Sequence, residues 1–264
     1  MKVAVISNNP GQVGKSSFIL LLASVFARTQ RKQVTVLSTG SLAEMYAQAA
    51  IDNRGQESKS INVYSAFIRA AAVSNDSVLD YANRIGSEEV YTLDIFSAAI
   101  KLEDMQELFL TTLNAIKTEL ILVEIAGDIN TEFNHTVMNE CDVVLNVFNA
   151  TRQSMQAVKK YTEEYDERIV DRTGFVCQKY DAKGLGEKRI ASTAGINIRN
   201  MMVVPYNTVV IKKCFEGELN TIAKAITEGN SEVINLRIKL LEVMQYLFDS
   251  DKYKYIKGPS EWYR

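Results

Sequence analysis

Histidine, proline, cysteine and tryptophan are all scarce in this 264-residue chain, which has 1 His, 3 Pro, 3 Cys and 1 Trp. The cysteines, Cys141, Cys177 and Cys214, are odd in number and contain no CxxC pair, so neither a disulfide framework nor a zinc ribbon is encoded. Cys141 and Cys177 stand in apolar runs and read as buried free thiols. The lone His135 has no Cys or carboxylate partner at ligand spacing, which argues against a metal role. So few prolines, with only 13 glycines, exclude a linker-rich multidomain chain. Charge of one sign is also missing: 30 Lys and Arg stand against 32 Asp and Glu, so no basic tail for nucleic acid is present. The longest apolar run, Phe18 to Ala27, falls far short of the ~20 residues that span a bilayer. No transmembrane segment is expected. Met1 to Asn8 reads as a short strand with a polar turn instead of a signal peptide, so a cytoplasmic location is expected.

What is present is a globular composition, 47% hydrophobic and 23% charged, and an alternation of strand and helix signals. Val3 to Ile6 is a continuous apolar run, as expected of a strand buried on both faces. Phe18, Leu21, Leu22, Val25 and Phe26 follow at helical spacing and predict an amphipathic helix. Gln33 to Ser38 predicts a second strand, and the three pieces together a βαβ unit with parallel pairing. Further strands are expected over Val90–Phe96, Leu120–Ile125, Asp142–Phe148, Thr173–Gln178 and Met201–Val204, with the very apolar Leu120–Ile125 near the sheet centre. Helices are expected over Met105–Lys117, Ser154–Tyr165 and Ser231–Phe248. The more polar stretch 50–88 predicts helices and loops at the sheet's edge or face. The economical reading is one α/β domain over residues 1–248, a doubly wound, mostly parallel sheet of about seven strands with helices on both faces. A polar, Tyr-rich tail, 249–264, follows.

Between the first strand and first helix stands Asn9-Pro10-Gly11-Gln12-Val13-Gly14-Lys15-Ser16-Ser17. That is the position of a phosphate-binding P-loop, whose pattern is GxxxxGK(S/T). Glycine lets backbone N–H groups turn inward and approach phosphate oxygens, and the helix N-terminus adds partial positive charge. Gly11, Gln12, Val13, Gly14, Lys15, Ser16 and Ser17 are the candidate nucleotide-binding residues. Lys15 would reach the β/γ-phosphates and the Ser16 hydroxyl would bind Mg²⁺. Asn9 replaces the first glycine of the pattern.

The loop resembles the deviant Walker A motif, KGGxGK(S/T), of the ParA/MinD family of P-loop ATPases, and the resemblance extends over about residues 1–228. Glu124, in Leu122-Val123-Glu124-Ile125-Ala126-Gly127-Asp128, falls where that family has its Walker B Asp, which implies a role beside Ser16 at Mg²⁺. Cys141 to Leu145, Val204-Pro205-Tyr206-Asn207 and Phe215 to Leu219 resemble later family segments in the same order. Gln178 is placed near the family's adenine-reading Asn, and Pro205, Tyr206 and Asn207 would flank the base. Two departures stand out. The family's signature lysine, which reaches a dimer partner's phosphates, is Pro10 here. The acidic residue that follows the family's second strand is also missing from Ser38-Thr39-Gly40-Ser41.

The resemblance implies ATP and Mg²⁺ as ligands, a homodimer, and a protein cargo or machine component as partner. Lys15 and Glu124 are the groups expected to act in catalysis, but no residue is placed to position water, so a slow or degenerate ATPase is expected. Three functions fit. One is nucleotide-gated assembly that positions a cargo, as in pilus-assembly localisation proteins of the Tad type. Another is a partition ATPase that binds DNA non-specifically through Arg28/Arg31/Lys32, Lys159/Lys160, Lys183/Lys188/Arg189 and Lys212/Lys213. The third is a scaffold with a vestigial loop. Asp128 and Arg152 are secondary candidates at the phosphate side, each also explicable as an ordinary loop or surface residue.

Overall fold

A computed structural model describes residues 1–8, 13–42, 45, 48, 78–85, 89–95 and 102–248. Gly11 and Gln12 of the expected loop, most of the stretch 50–88, Phe96 and the tail 249–264 lie outside the described residues. The chain begins with β1 (Lys2–Ile6), α1 (Lys15–Gln30) and β2 (Val34–Ser38). There follow β3 (Asn83–Arg84), β4 (Val90–Leu93), α2 (Leu102–Ala115), β5 (Leu120–Glu124), α3 (Glu132–Asn139) and β6 (Val143–Asn149). The last third holds α4 (Arg152–Glu164), α5 (Glu167–Val170), β7 (Thr173–Tyr180), α6 (Glu187–Thr193), β8 (Met201–Pro205), α7 (Thr208–Phe215), α8 (Leu219–Glu228) and α9 (Ile234–Phe248). A short 3₁₀ turn, Ser231–Val233, takes the place of the start expected for the last helix.

The strands form one eight-stranded sheet in the order β3-β4-β2-β5-β1-β6-β7-β8. Every pair is parallel except β3 with β4. The extra strand beyond the expected seven is the two-residue β3, too short to leave a periodic signal. β5 sits at the centre with all five residues buried, as its apolar run predicts. Its central place corrects one expectation: β1 and β2 are parallel but do not pair, because β5 lies between them. The chain winds to one side of β1 through β2 and β4, then crosses to β6 on the other. This reversal opens a crevice at the strands' carboxyl ends, where ligands bind in open α/β sheets.

Strand alternation splits the core into two layers. Val3, Val5, Leu120, Leu122 and Val147 face α1, α8 and α9, while Ala4, Ile6, Ile121, Val123 and Val144 face the layer that contains α2, α3 and α4. Helix α1 is not amphipathic as expected. Phe18 through Ala27 are all buried, because α8 and α9 cover the side that would otherwise meet water. Stacking of Phe26 on Phe248 (centroids 5.2 Å apart) ties the end of α9 to α1. Gly174 in β7 is required by close approach: a Cβ there would lie 2.5 Å from Tyr246 Cε1 on α9. The apolar face of α9, including Leu236, Leu240, Val243 and Leu247, is buried in the core. No helix among the described residues is long and apolar enough to cross a membrane.

Candidate nucleotide site

Gly14 ends the loop in a left-handed conformation (φ +83°, ψ +27°) and caps α1 without any side-chain hydrogen bond. The helix carries no acidic residue in its first turn. The positive end of its dipole and its first N–H groups suit an anion, and neither Gly14 nor an acid in the first turn supplies a side-chain cap. The Cβ of any other residue at position 14 would be strained by this φ.

Below the helix start, Glu124 ends β5, flanked in register by Val5 of β1 and Ser38 of β2, and is 7% exposed. Ser16 Oγ donates to Glu124 Oε1 at 2.8 Å. Lys15 Nζ lies 3.8 Å from the same oxygen and donates to the carbonyl of Ile125. A buried carboxylate is held by a hydroxyl and an ammonium, and both come from the first turn of α1. A hydroxyl and a carboxylate are hard oxygen donors, the set that suits Mg²⁺. The loop after β2 packs on the loop after β5: Thr39 N donates to Glu124 O and Thr39 Oγ1 accepts from Ala126 N, each at 2.9 Å. The loop after β2 is not without a nearby acid. Asp94, just past β4, accepts from Leu42 N at 3.4 Å. That carboxylate comes from a different strand, so the local sequence after β2 could not reveal it.

On the other side of Gly14 a cavity of about 220 Å³ opens. Gly14 and Ser17 meet Gln178, Pro205, Tyr206 and Asn207 there, and Phe18, Leu21, Leu236 and Leu240 supply an apolar wall. Gln178 is 8% exposed, and its buried Nε2 has no hydrogen-bond partner among the described residues. An unpaired buried amide costs ~1–3 kcal/mol, so a ligand acceptor in the cavity would recover that loss. Asn207 is occupied elsewhere. Its Oδ1 accepts from Val209 N and Val210 N at 2.9 and 3.1 Å, capping α7, and its Nδ2 donates to Glu232 O at 3.1 Å. The Asn207 side chain is therefore engaged within the fold. Tyr206 is 54% exposed at the rim.

The secondary candidates separate from this cluster. Asp128 Oδ1 accepts from Asn130 N at 2.9 Å and closes a turn after Gly127, while Thr131 caps α3. Arg152 is an exposed residue in the first turn of α4. His135 Nε2 lies 3.3 Å from Asp166 Oδ2, and no group of three or more potential metal ligands occurs among the described residues.

The thiols divide in the same way. Burial pushes Cys141 and Cys177 up to about 12, whereas Cys214 is only half-buried and lines the cavity. At pH 8 a maleimide reagent is expected to label the native chain at Cys214 alone, and ATP with Mg²⁺ is expected to slow that labelling. Mass spectrometry of the labelled peptides checks both. Equal labelling of all three thiols would show that the sheet core is not closed as described.

No protein-family model and no curated protein matches the chain. Solved structures do. The MinC:MinD cell division protein complex of Aquifex aeolicus matches with TM-score 0.67 at 13% identity, covering 95% of this chain and 96% of that one. A ParA family ATPase from Chlorobium tepidum matches with TM-score 0.68 at 13% identity, covering 92% and 97%. The septum site-determining protein MinD of Pyrococcus horikoshii, solved with Mg-ADP, matches with TM-score 0.66 at 14% identity, covering 93% and 96%. The chain has the MinD/ParA fold. Within that fold Gly14, Lys15, Ser16 and Glu124 gather at one end of the crevice, and Ser17, Gln178, Pro205, Tyr206 and Asn207 line the adjoining cavity. Sequence reasoning missed Lys179, Cys214 and Leu240 as lining residues of that cavity. Helical spacing did mark Leu240 as core, but nothing local indicated which helix would close the cavity.

Proposed function

We propose that the chain binds ATP with Mg²⁺ and uses nucleotide-gated dimerisation or assembly to position a protein cargo, with slow or absent hydrolysis. The carrying observation is the buried Gln178 Nε2, without a hydrogen-bond partner among the described residues, in a cavity that opens onto Gly14 at the start of α1. A polar donor left unsatisfied beside an anion site is what a nucleotide with base and phosphates would complete.

The residues present fit that ligand. The N–H groups at the start of α1 would hold phosphate oxygens, and Lys15 would turn from the Ile125 carbonyl toward the β/γ-phosphates. Ser16 and Glu124, already hydrogen-bonded, would hold Mg²⁺, which supplies charge neutralisation when bound. Glu124 is one methylene longer than an aspartate, so it reaches farther from β5. Proline at position 10 brings no cation to a partner copy, and no carboxylate stands in residues 38–41 to orient water. Both departures support retention of the nucleotide over turnover. Retained nucleotide would stabilise an assembled state by mass action.

The DNA-binding reading is less well supported. Lys32 lies 3.1 Å from Glu119, Lys159 3.7 Å from Glu163, Lys160 3.6 Å from Glu164 and Lys213 3.0 Å from Glu216, so much of the basic character is locally neutralised.

Calorimetric titration with ATP and Mg²⁺ should give saturable binding, with little phosphate released while the complex is re-isolated by gel filtration. A flat titration overturns the nucleotide reading. Rapid turnover that disappears in Lys15→Ala overturns the slow-hydrolysis part alone.

A further inference from the structure

We propose that Lys179 supplies, from within the same chain, a second positive charge at the phosphates of the bound nucleotide, in place of the lysine that proline at position 10 cannot provide. Lys179 can act so only if the cavity holds a nucleoside triphosphate, the reading on which this inference rests.

Lys179 has φ +54°, in the left-handed region that side chains other than glycine seldom occupy. It belongs to the end of β7, where the pairing with β8 is irregular between Cys177 and Tyr180. In a regular strand Gln178 and Lys179 would point to opposite faces of the sheet. The left-handed residue breaks that alternation, and both side chains line the one cavity. A Cβ built on Gly14 would lie 3.8 Å from Lys179 Cε and 4.0 Å from Gln178 Oε1. An amide and an ammonium-bearing chain thus converge on the residue that starts α1. The backbone conformation that achieves this is unfavourable for lysine, and such conformations persist where the surroundings enforce them, most often at functional sites.

The division of labour follows from the chemistry. The Gln178 amide can donate to a base nitrogen, whereas an ammonium gains most from phosphate oxygens. Lys15 reaches the site from α1 and Lys179 reaches it from β7, so the two charges approach from separate elements. The bland reading is that Lys179 merely starts the turn into Asp181–Gly184, where Gly184 N donates to Asp181 O. A left-handed turn residue is better served by glycine, and that difference gives the test.

Lys179→Gly keeps the conformation and removes the charge. Its urea midpoint should equal or exceed that of the native chain, while its Kd for ATP–Mg²⁺ rises about tenfold or more, about 1.4 kcal/mol. Its Kd for adenosine should stay within about twofold, since no phosphate is present to lose the contact. Lys179→Arg should retain ATP binding. Lys179→Gln, which keeps the length without the charge, should behave as Lys179→Gly does and serves if glycine loosens the strand end. Native binding of ATP with unchanged affinity in Lys179→Gly and Lys179→Gln overturns the role of Lys179 and leaves the nucleotide reading intact. Equal weakening for ATP and adenosine also overturns it, by showing a general disturbance of the cavity. A native chain that binds no ATP overturns both.

Discussion

Lys15→Ala is expected to lower ATP affinity by about a hundredfold or more, equivalent to ~2.7 kcal/mol, the range of one to two charge-assisted hydrogen bonds. Lys15 Nζ stands between Ile125 O and Glu124 Oε1 at the mouth of the α1 start, already desolvated to 16% side-chain exposure. Part of the cost of dehydrating the ammonium has therefore been met before any ligand arrives. The variant also removes the ammonium 3.8 Å from the Glu124 carboxylate, so the site is expected to become more repulsive to phosphate as well as less attractive. Fluorescence titration with a labelled ATP analogue measures the change. An affinity within about threefold of the native value would mean that phosphates are not held at this helix start.

The second large effect is on stability. Leu240→Ala should cost about 2–5 kcal/mol, a substantial share of the ~5–15 kcal/mol typical of a folded domain. Leu240 is fully buried on α9, within the layer that also contains Phe18, Leu21 and Leu22 of α1. It also lines the cavity that holds Gln178, so truncation removes core packing and enlarges that cavity together. Urea unfolding followed by circular dichroism gives the first quantity, and ATP titration below the transition gives the second. A loss under ~1 kcal/mol would show that α9 is not packed against α1 as described.

Much of the fold was legible because buried parallel strands advertise themselves as largely apolar runs. β1, β2, β5 and β6 follow that rule, and β5 had the most apolar run and the central place. What could not be read was adjacency. Nothing within residues 2–38 says that β5, more than eighty residues later, will separate β1 from β2. Nor does α1 announce that α8 and α9 will cover its outer side. The same division holds at the site. Val13 to Ser17 form one contiguous motif at a strand–helix junction and were visible in the sequence. Glu124 and Gln178 were reached through resemblance; the first lies against Ser16 and the second lines the cavity beside Gly14. Asp94 and Lys179 were out of reach, the first because it arrives from a neighbouring strand, the second because its direction depends on a single backbone angle.

Helix α1 is enclosed along ten successive residues, from Phe18 to Ala27, immediately behind its first turn. Close-packed interiors transmit small volume changes as displacements. A methylene added or removed anywhere along that stretch would re-aim the donors at Lys15 to Ser17 without touching them. Drift in affinity for the proposed nucleotide is thus open to substitutions that look like ordinary repacking, well away from any atom that such a ligand would contact.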